Sequence, residues 1–277
     1  MKLRCGDRVL DLSSTKVMGV LNTTPDSFSD GGRFAKLDAA ILRAETMASQ
    51  GAAIIDVGGE STRPGASPVT LQQELDRVIP VVERISQNID VCISVDSSSP
   101  EVMRAAKKAG AHLLNDVRAL QRDGSLDTAK EMSLPVCLMH MQGEPSNMQK
   151  NPAYAGVLDD VYVFLAKRIQ ACNQVGIAND QILIDPGFGF GKTAQHNYQL
   201  LAKLERFKTL GVPTLVGMSR KSMIADALGG AGVDDRIAGS VAAAVIAAMN
   251  GAHIVRVHDV KETAQALEIV KATKAQQ

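Results

Sequence analysis

Residues 91–116 read VCISVDSSSPEVMRAAKKAGAHLLND, and this stretch decides the fold class. It begins with an apolar run at 91–95 and ends with another at 112–114, and such uninterrupted runs are typical of parallel strands covered on both faces. Ser99 and Pro100 lie between the two runs and predict a helix start, since serine is a favoured N-cap and proline fits the first helical position. The stretch therefore predicts two parallel strands joined by a helix.

Apolar runs of this kind recur eight times along the chain. They are rich in Val, Ile and Leu and lie at 17–21, 52–57, 91–95, 112–114, 136–139, 182–184, 214–216 and 254–257. Other segments have helical periodicity, and these cover about 38–50, 67–86, 124–132, 157–175, 195–209, 235–250 and 261–273. Eight alternating units in one chain predict an α/β fold, a (β/α)8 TIM barrel, better than an open doubly wound sheet.

Three local features add detail to this barrel. The pattern Val9-Leu10-Asp11-Leu12 precedes the first repeat and predicts a short N-terminal hairpin that closes the barrel bottom. Ser67 and Pro68 predict the start of the second long helix, and Pro80 inside that helix predicts a kink or a break. No linker or low-complexity run divides the sequence, so we expect a single domain over residues 1–277.

Charge and composition argue against several classes of protein. Lys and Arg number 30, as do Asp and Glu, so the chain lacks the basic excess of a protein built to bind nucleic acid. No apolar run approaches the roughly 20 residues of a membrane-spanning helix, and the first residues do not resemble a signal peptide. The four cysteines form no CxxC pair, and Cys92 and Cys137 lie inside apolar runs, so we expect these two to be small buried side chains. We therefore expect a cytoplasmic protein without nucleic acid or membrane partners.

Polar residues stand at or directly after the end of every apolar run. In a TIM barrel these positions and the loops that follow them form the reactive face. The set comprises Asn22, Asp56, Asp96, Asn115-Asp116, His140, Asp185, Ser219-Arg220-Lys221, Arg256 and His258-Asp259. Eight polar strand ends in register predict a ligand pocket, although Asp56 could instead cap a turn, and His140 or His258 could be ordinary strand-end histidines.

One part of this set suits a flat heterocycle rich in N–H and C=O groups. Asp96, Asn115 and Asp185 could donate and accept along its edge, because a carboxylate facing an amidine-like N–C–NH2 edge makes two charge-assisted hydrogen bonds.

Another part of the set suits an anion. Arg63, Arg256 and His258 suggest a phosphate site, since the guanidinium fork matches phosphate, and the amide oxygen of Asn22 could bind Mg2+. Together the two parts predict a polar heterocycle with a phosphate-bearing arm as the ligand.

Three segments have the composition of functional loops. The segment 22–32, which contains Phe28, and the segment 58–65 are rich in Gly, Ser, Thr and Pro, which is typical of mobile lids and also of ordinary surface loops. The segment 185–193 contains GFGFGKT but is not a phosphate-binding loop, because Pro186 stands where that motif needs glycine and the spacing is G-x-G-x-G. We expect a flexible loop there, with Phe190 lining a pocket for an aromatic substrate.

Several of these segments together resemble the dihydropteroate synthase family. They are NTTPDSFSDGG at 22–32, GGESTRPG at 58–65, DPGFGFGK at 185–192, GMSRKS at 217–222 and RVHD at 256–259. The resemblance extends from about residue 17 to residue 271. It implies a transferase of folate biosynthesis that condenses 6-hydroxymethyl-7,8-dihydropterin pyrophosphate with p-aminobenzoate, giving 7,8-dihydropteroate and pyrophosphate.

The resemblance also implies roles for individual residues. The implied pterin site is Asp96, Asn115, Asp185, Lys221 and Arg256, with the Arg256 guanidinium stacked on the ring. The implied pyrophosphate site is Asn22, Arg63, Arg256 and His258, and Asn22 would also bind Mg2+. The implied p-aminobenzoate site is Phe28, Thr62, Arg63, Pro64, Phe190, Lys221 and Ser222. The implied catalytic residues are Asn22, Asp30, Arg63, Lys221, Arg256 and His258, where Asp30 would stabilise a cation or accept a proton.

Mechanism and partners follow from the same resemblance. Pyrophosphate would leave first, assisted by Mg2+, and the arylamine would then attack the cationic methylene carbon. Sulfonamides would compete with p-aminobenzoate. A homodimer is expected through the last helices, where the small apolar segment 238–249 could equally be a buried helix.

Two alternatives to this function remain open. A methyltetrahydrofolate-dependent methyltransferase domain could share Asp96, Asn115 and Asp185, but it has no use for Arg63 or for the segment 22–32. A catalytically silent pterin-binding relative should have degraded lid loops or anion residues, which are complete in this sequence.

Overall fold

The computed structural model describes residues 1–6, 8–23, 33–61 and 69–276. An antiparallel hairpin of β1 (Lys2–Cys5) and β2 (Arg8–Asp11) comes first. Eight parallel strands follow: β3 (Lys16–Asn22), β4 (Ile54–Gly58), β5 (Cys92–Asp96), β6 (Leu113–Asp116), β7 (Val136–Met139), β8 (Ile182–Asp185), β9 (Leu215–Val216) and β10 (Ile254–Val257). Their order in the sheet is β8-β7-β6-β5-β4-β3-β10-β9, and a parallel bridge between Ile184 and Thr214 joins its two edges. The sheet is thus a nearly closed barrel, which confirms the predicted fold class.

Helices connect the barrel strands. They are α1 (Arg33–Ser49), α2 (Leu71–Asn88), α3 (Pro100–Ala109), α4 (Ser125–Met132), α5 (Val157–Gln174), α6 (Ala194–Ala202), α7 (Ser222–Ala227), α8 (Ile237–Met249) and α9 (Val260–Lys274). Short 3-10 helices cover Asn179–Gln181, Leu204–Leu210 and Asp234–Arg236. No described helix is long and apolar enough to cross a lipid bilayer.

Three helix predictions need correction. The second long helix begins at Leu71 rather than near 67, because Thr70 and Gln73 form a capping box there. Pro80 does not break that helix: the buried face that includes Val78 and Val82 packs on the barrel and outweighs one lost backbone hydrogen bond. The helix predicted at 195–209 ends at Ala202 and is followed by a 3-10 helix, and the sequence did not predict α7.

The bottom of the barrel is an apolar layer to which every strand contributes one side chain. The layer consists of Met18, Ile54, Cys92, Leu113, Cys137, Leu183, Leu215 and Ile254. Leu3 and Cys5 of the hairpin and the adjacent Leu12 pack against it, so the hairpin closes the barrel bottom as predicted. All four cysteines are free and buried, which confirms the expectation for Cys92 and Cys137.

The hairpin should contribute to global stability. Leu3 is fully buried in the bottom layer, whereas Val9 on the other strand is 58% exposed. We expect Leu3→Ala to lower the free energy of unfolding by about 2–5 kcal/mol through lost burial and a residual cavity. Val9→Ala, the matched control, should change it by less than about 0.5 kcal/mol. Urea unfolding measures both, and equally small effects would show that the hairpin lies outside the cooperative unit.

Candidate active site

A second inward layer lies directly above the apolar floor. Side chains alternate between the two faces of a strand, so the residues two positions beyond the floor face inward as well. They are Val20, Asp56, Ser94, Asn115, Met139, Asp185, Gly217 and Arg256. Two carboxylates, an amide and a guanidinium thus stand inside the barrel on an apolar base, where water is scarce and electrostatic interactions are strong.

The centre of this layer is the guanidinium of Arg256, held between two carboxylates. Its Nε donates to Oδ2 of Asp56 at 2.6 Å, and a terminal nitrogen donates to Oδ2 of Asp96 at 3.0 Å. Asn115 Nδ2 donates to the same Asp56 oxygen at 3.1 Å. These bonds join β4, β5, β6 and β10, so the structure brings Asp96, Asn115 and Arg256 together as the sequence predicted.

Asp56 belongs to the polar strand ends that predict the pocket, but the sequence pointed to no particular binding role for it. It does not cap a turn: it is 0% exposed and accepts from both Arg256 and Asn115. Its second oxygen, Oδ1, is buried and has no hydrogen-bond partner among the described residues. The signal was present in the sequence, because Asp56 stands two residues after the floor residue Ile54 and so shares its inward direction.

Burial and neighbouring charges shift the pKa values of Asp96 and Arg256. Burial raises the pKa of the Asp96 carboxyl to about 7, although the guanidinium of Arg256 opposes the shift. Burial tends to lower the pKa of Arg256, but the carboxylates of Asp56 and Asp96 outweigh it and raise that pKa overall. Arg256 is therefore a permanent cation, while burial makes the Asp96 carboxyl easier to protonate than an exposed aspartate.

A second group of site residues surrounds Lys221. Its Nζ donates to the carbonyl of Phe188 and lies 4.4 Å from the centre of the Phe190 ring. Burial lowers the pKa of Lys221 to about 8, and the carboxylate of Asp185 opposes this shift. Burial raises the pKa of Asp185, whose Oδ1 accepts from the backbone amide of Gly187 at 2.7 Å. Phe190 is half-buried beside Lys221, as expected for the wall of a pocket.

The segment that carries Phe190 is a densely hydrogen-bonded turn, which argues against the flexible loop expected from the sequence. Every carbonyl from 187 to 191 accepts a bond from a side chain; the donors are Lys192, Lys221, Gln149, Lys192 and Tyr154 in turn. The glycines at 187, 189 and 191 all have positive φ. A Cβ on Gly187 would lie 1.8 Å from the carbonyl oxygen of His140, so only glycine fits there. The G-x-G-x-G spacing thus serves the backbone and not a phosphate.

The rim of the pocket holds the remaining described residues. Asn22 ends β3, half-buried, and is paired in register with Gly58 at the end of β4. The amide and hydroxyl of Thr23 both donate to the Gly58 carbonyl, so the ends of β3 and β4 lie side by side. His258 contacts the Ser219 hydroxyl through its backbone amide and Nδ1, both at 3.2 Å.

Other predicted residues divide into three groups. Ser222 is exposed at the first position of α7, next to Lys221. Phe28, Asp30, Thr62, Arg63 and Pro64 lie outside the described residues. Asp116 and His140 do not join the pocket layer: Asp116 accepts from the amides of Arg118 and Leu120, and His140 lies beneath the 187–191 turn.

These features define a class of protein, a barrel enzyme that binds a polar heterocycle at the carboxyl ends of its strands. The model of the family described as "Pterin binding enzyme" matches residues 18–258. Dihydropteroate synthase of Escherichia coli strain K12 is 56% identical over 273 residues, covering 99% of this chain and 96% of its own.

Solved structures agree with the sequence match. The Yersinia pestis dihydropteroate synthase in a sulfonamide complex has a TM-score of 0.95 at 54% identity, covering 99% of this chain and 100% of its own. The Xanthomonas albilineans enzyme in complex with 7,8-dihydropteroate has a TM-score of 0.91 at 45% identity and covers 99% of both chains. The chain belongs to the dihydropteroate synthase family, whose members are transferases that condense a pterin pyrophosphate with p-aminobenzoate.

Removing the charge of Asp56 should weaken pterin binding without unfolding the barrel. In Asp56→Asn a neutral amide replaces the carboxylate; its oxygen can still accept from Arg256 and Asn115, which both donate to Oδ2, but the negative charge that strengthens the bond from the guanidinium is lost. We expect the affinity for the dihydropterin substrate to fall about tenfold or more, because one hydrogen bond to a charged group contributes about 1.5–3 kcal/mol.

Titration calorimetry measures this affinity, with Asp127→Asn on an exposed turn of α4 as the matched control. Unchanged affinity in Asp56→Asn would contradict a role for this carboxylate in arranging the site.

Proposed function

We propose that the dihydropterin ring occupies the space above the second inward layer. The buried group of Asp56, Arg256, Asp96 and Asn115 carries this proposal, because it combines fixed donors and acceptors with an unpartnered buried oxygen. Asp96, Asn115 and Asp185 pair with the edge of the ring, and a carboxylate facing its N–C–NH2 group makes two parallel charge-assisted bonds. Lys221 donates to the ring, and the guanidinium of Arg256 stacks on it.

The p-aminobenzoate site is proposed on the rim side of Lys221. Phe190 and Ser222 flank this lysine, and an apolar ring beside a cation suits an aromatic carboxylate. Phe28, Thr62, Arg63 and Pro64 complete the site from the two long segments. Sulfonamides resemble p-aminobenzoate and compete for the same place, which the sulfonamide complex of the Yersinia pestis relative supports.

The pyrophosphate site is proposed at the carboxyl ends of β3 and β10. Arg63, Arg256 and His258 supply positive charge or donors there, and Asn22 supplies one amide oxygen. The described residues contain no cluster of three or more carboxylate, histidine or cysteine ligands. A single oxygen donor fits Mg2+, which usually keeps several waters and binds mainly substrate phosphates. The ion would neutralise charge on the departing pyrophosphate.

The proposed reaction begins with loss of pyrophosphate. The C–O bond between the pterin methylene and pyrophosphate breaks, the bonding electrons leave with oxygen, and the ring nitrogens delocalise the cation. Arg63 and His258 stabilise the negative charge that grows on the leaving group. The arylamine nitrogen then forms the C–N bond and releases a proton. Asp30 stabilises the cation or accepts this proton; an arylamine needs no strong base.

The setting of the protein is also a proposal. We infer that residues 1–277 act as one pterin-binding domain, that the protein works in the cytoplasm, and that it forms a homodimer through its last helices. In support, α8 exposes Ile246 and Met249, and α9 exposes Ile269. Nucleic acid and membranes are not among its proposed partners.

Turnover and bond-breaking order can be tested together. We expect pyrophosphate release from 6-hydroxymethyl-7,8-dihydropterin pyrophosphate to require p-aminobenzoate and Mg2+ and to yield dihydropteroate. With Mg2+ alone, positional isotope exchange within bound pyrophosphate should still occur, because the C–O bond breaks reversibly before the amine attacks. Turnover without any exchange, under conditions of tight binding, would mean that the amine attacks while pyrophosphate leaves. Pterin binding without turnover would indicate a silent relative.

The role of Asn22 in metal binding has its own test. Without the amide oxygen, Asn22→Ala should raise the Mg2+ concentration for half-maximal rate by about tenfold, equivalent to about 1.4 kcal/mol. The rate at saturating Mg2+ should fall much less. Asn173→Ala, at an exposed position of α5, should leave the Mg2+ dependence unchanged. If Asn22→Ala shows the same Mg2+ dependence as the unmodified enzyme, Asn22 is not a metal ligand.

A further inference from the structure

The side chain of Lys192 is buried beneath the 187–191 turn. Only 3% of the residue is exposed, although it is the last residue of the GFGFGK segment. Its Nζ contacts the carbonyls of Gly187 at 2.8 Å and Phe190 at 3.1 Å, and Nδ1 of His140 at 2.9 Å. A fourth contact, to the carbonyl of His140, is longer at 3.4 Å. The ammonium of this lysine thus lies inside the protein, between backbone carbonyls and the ring of His140.

The three short contacts match the three protons of an ammonium group. An ammonium has three donors and no acceptor, so Nδ1 of His140 must accept. Burial lowers the pKa of His140 to about 3, and the charge of Lys192 adds to this shift, so the ring is neutral and can accept. Burial lowers the pKa of Lys192 well below its usual value, whereas the carboxylate of Asp185 opposes this shift and favours the charged form. Each proton therefore has a partner, which is the condition for placing a cation inside a protein.

The turn bound by Lys192 also carries groups that contact Lys221 and Asp185, two of the residues proposed to bind the substrates. The carbonyl of Phe188 accepts from Lys221 Nζ, and the ring of Phe190 lies against the same ammonium. The amide of Gly187 donates to Asp185. Lys192 binds the carbonyls on either side of Phe188, so its position fixes how this turn presents both groups.

We propose that Lys192 is a positioning residue, a built-in cation that fixes the 187–190 backbone and thereby places Lys221 and Phe190 for the two substrates, with His140 as its neutral acceptor. The proposal rests on the substrate roles given above for Lys221 and Phe190. It assigns a purpose to His140 and to the lysine of the GFGFGK segment, neither of which is among the residues proposed to bind substrate.

Chemical rescue tests the charge directly. Lys192→Ala removes three methylenes and the ammonium, so the missing group corresponds to propylammonium. We expect the KM for p-aminobenzoate to rise about tenfold or more, and amide hydrogen exchange at 187–191 to accelerate. Propylammonium should reverse both effects, whereas propanol, with the same shape and no charge, should not. Lys167→Ala, at an exposed position of α5, is the matched control and should behave like the unmodified enzyme.

A second pair of variants covers the case in which Lys192→Ala does not fold. His140→Gln keeps an acceptor for the ammonium, and His140→Phe removes it. We expect the KM for p-aminobenzoate to rise in His140→Phe and to recover largely in His140→Gln. Lower melting temperatures with unchanged KM and exchange in folded variants, or equal rescue by propanol, would overturn the proposal. Lack of turnover by the unmodified enzyme and the Lys167→Ala control would instead count against the proposed function itself.

Discussion

The arrangement of the site depends on one buried cation shared by two carboxylates. Removing Arg256, Asp56 and Asp96 from water is costly, and removing one partner of such a group usually costs more than the group contributes as a whole. The three side chains come from β10, β4 and β5. Arg256 is 200 positions from Asp56 in the sequence and 160 positions from Asp96. The network therefore forms only when the barrel closes, and it links the integrity of the fold to the geometry of the pocket.

This network is possible because the barrel interior changes polarity abruptly. Eight apolar side chains fill the bottom layer, and the N-terminal hairpin seals it with Leu3 and Cys5. The next inward residue on four of the strands is Asp56, Asn115, Asp185 or Arg256. The apolar layer below offers these groups no polar partners, so they pair with each other and, in the proposed complex, with a ligand. The same environment raises the pKa of Asp96 to about 7, and burial of the carboxyl is the largest cause of this shift.

The 187–191 turn next to Lys221 also has to pair its buried polar groups, and here those groups are backbone carbonyls. The 187–191 turn packs against the barrel, and a turn without regular structure must satisfy its carbonyls by other means. Side chains do so at every position, and Lys192 serves two carbonyls at once. Three glycines with positive φ allow the carbonyls to point toward these donors. The 187–191 segment has the glycines of a phosphate-binding loop without its spacing. In the structure these glycines belong to a turn whose carbonyls are all bound by side chains.

The sequence by itself determined the eight repeating units, the closing hairpin, the pocket at the strand ends and the family. These follow from local patterns, namely apolar runs, turn residues and short motifs, which need no knowledge of distant partners. Only the tertiary structure decided that Asp56 joins Arg256 and that Lys192 faces inward. Each of these depends on which groups meet once the sheet has curved into a barrel, and local sequence does not specify contacts between residues that lie far apart in the chain.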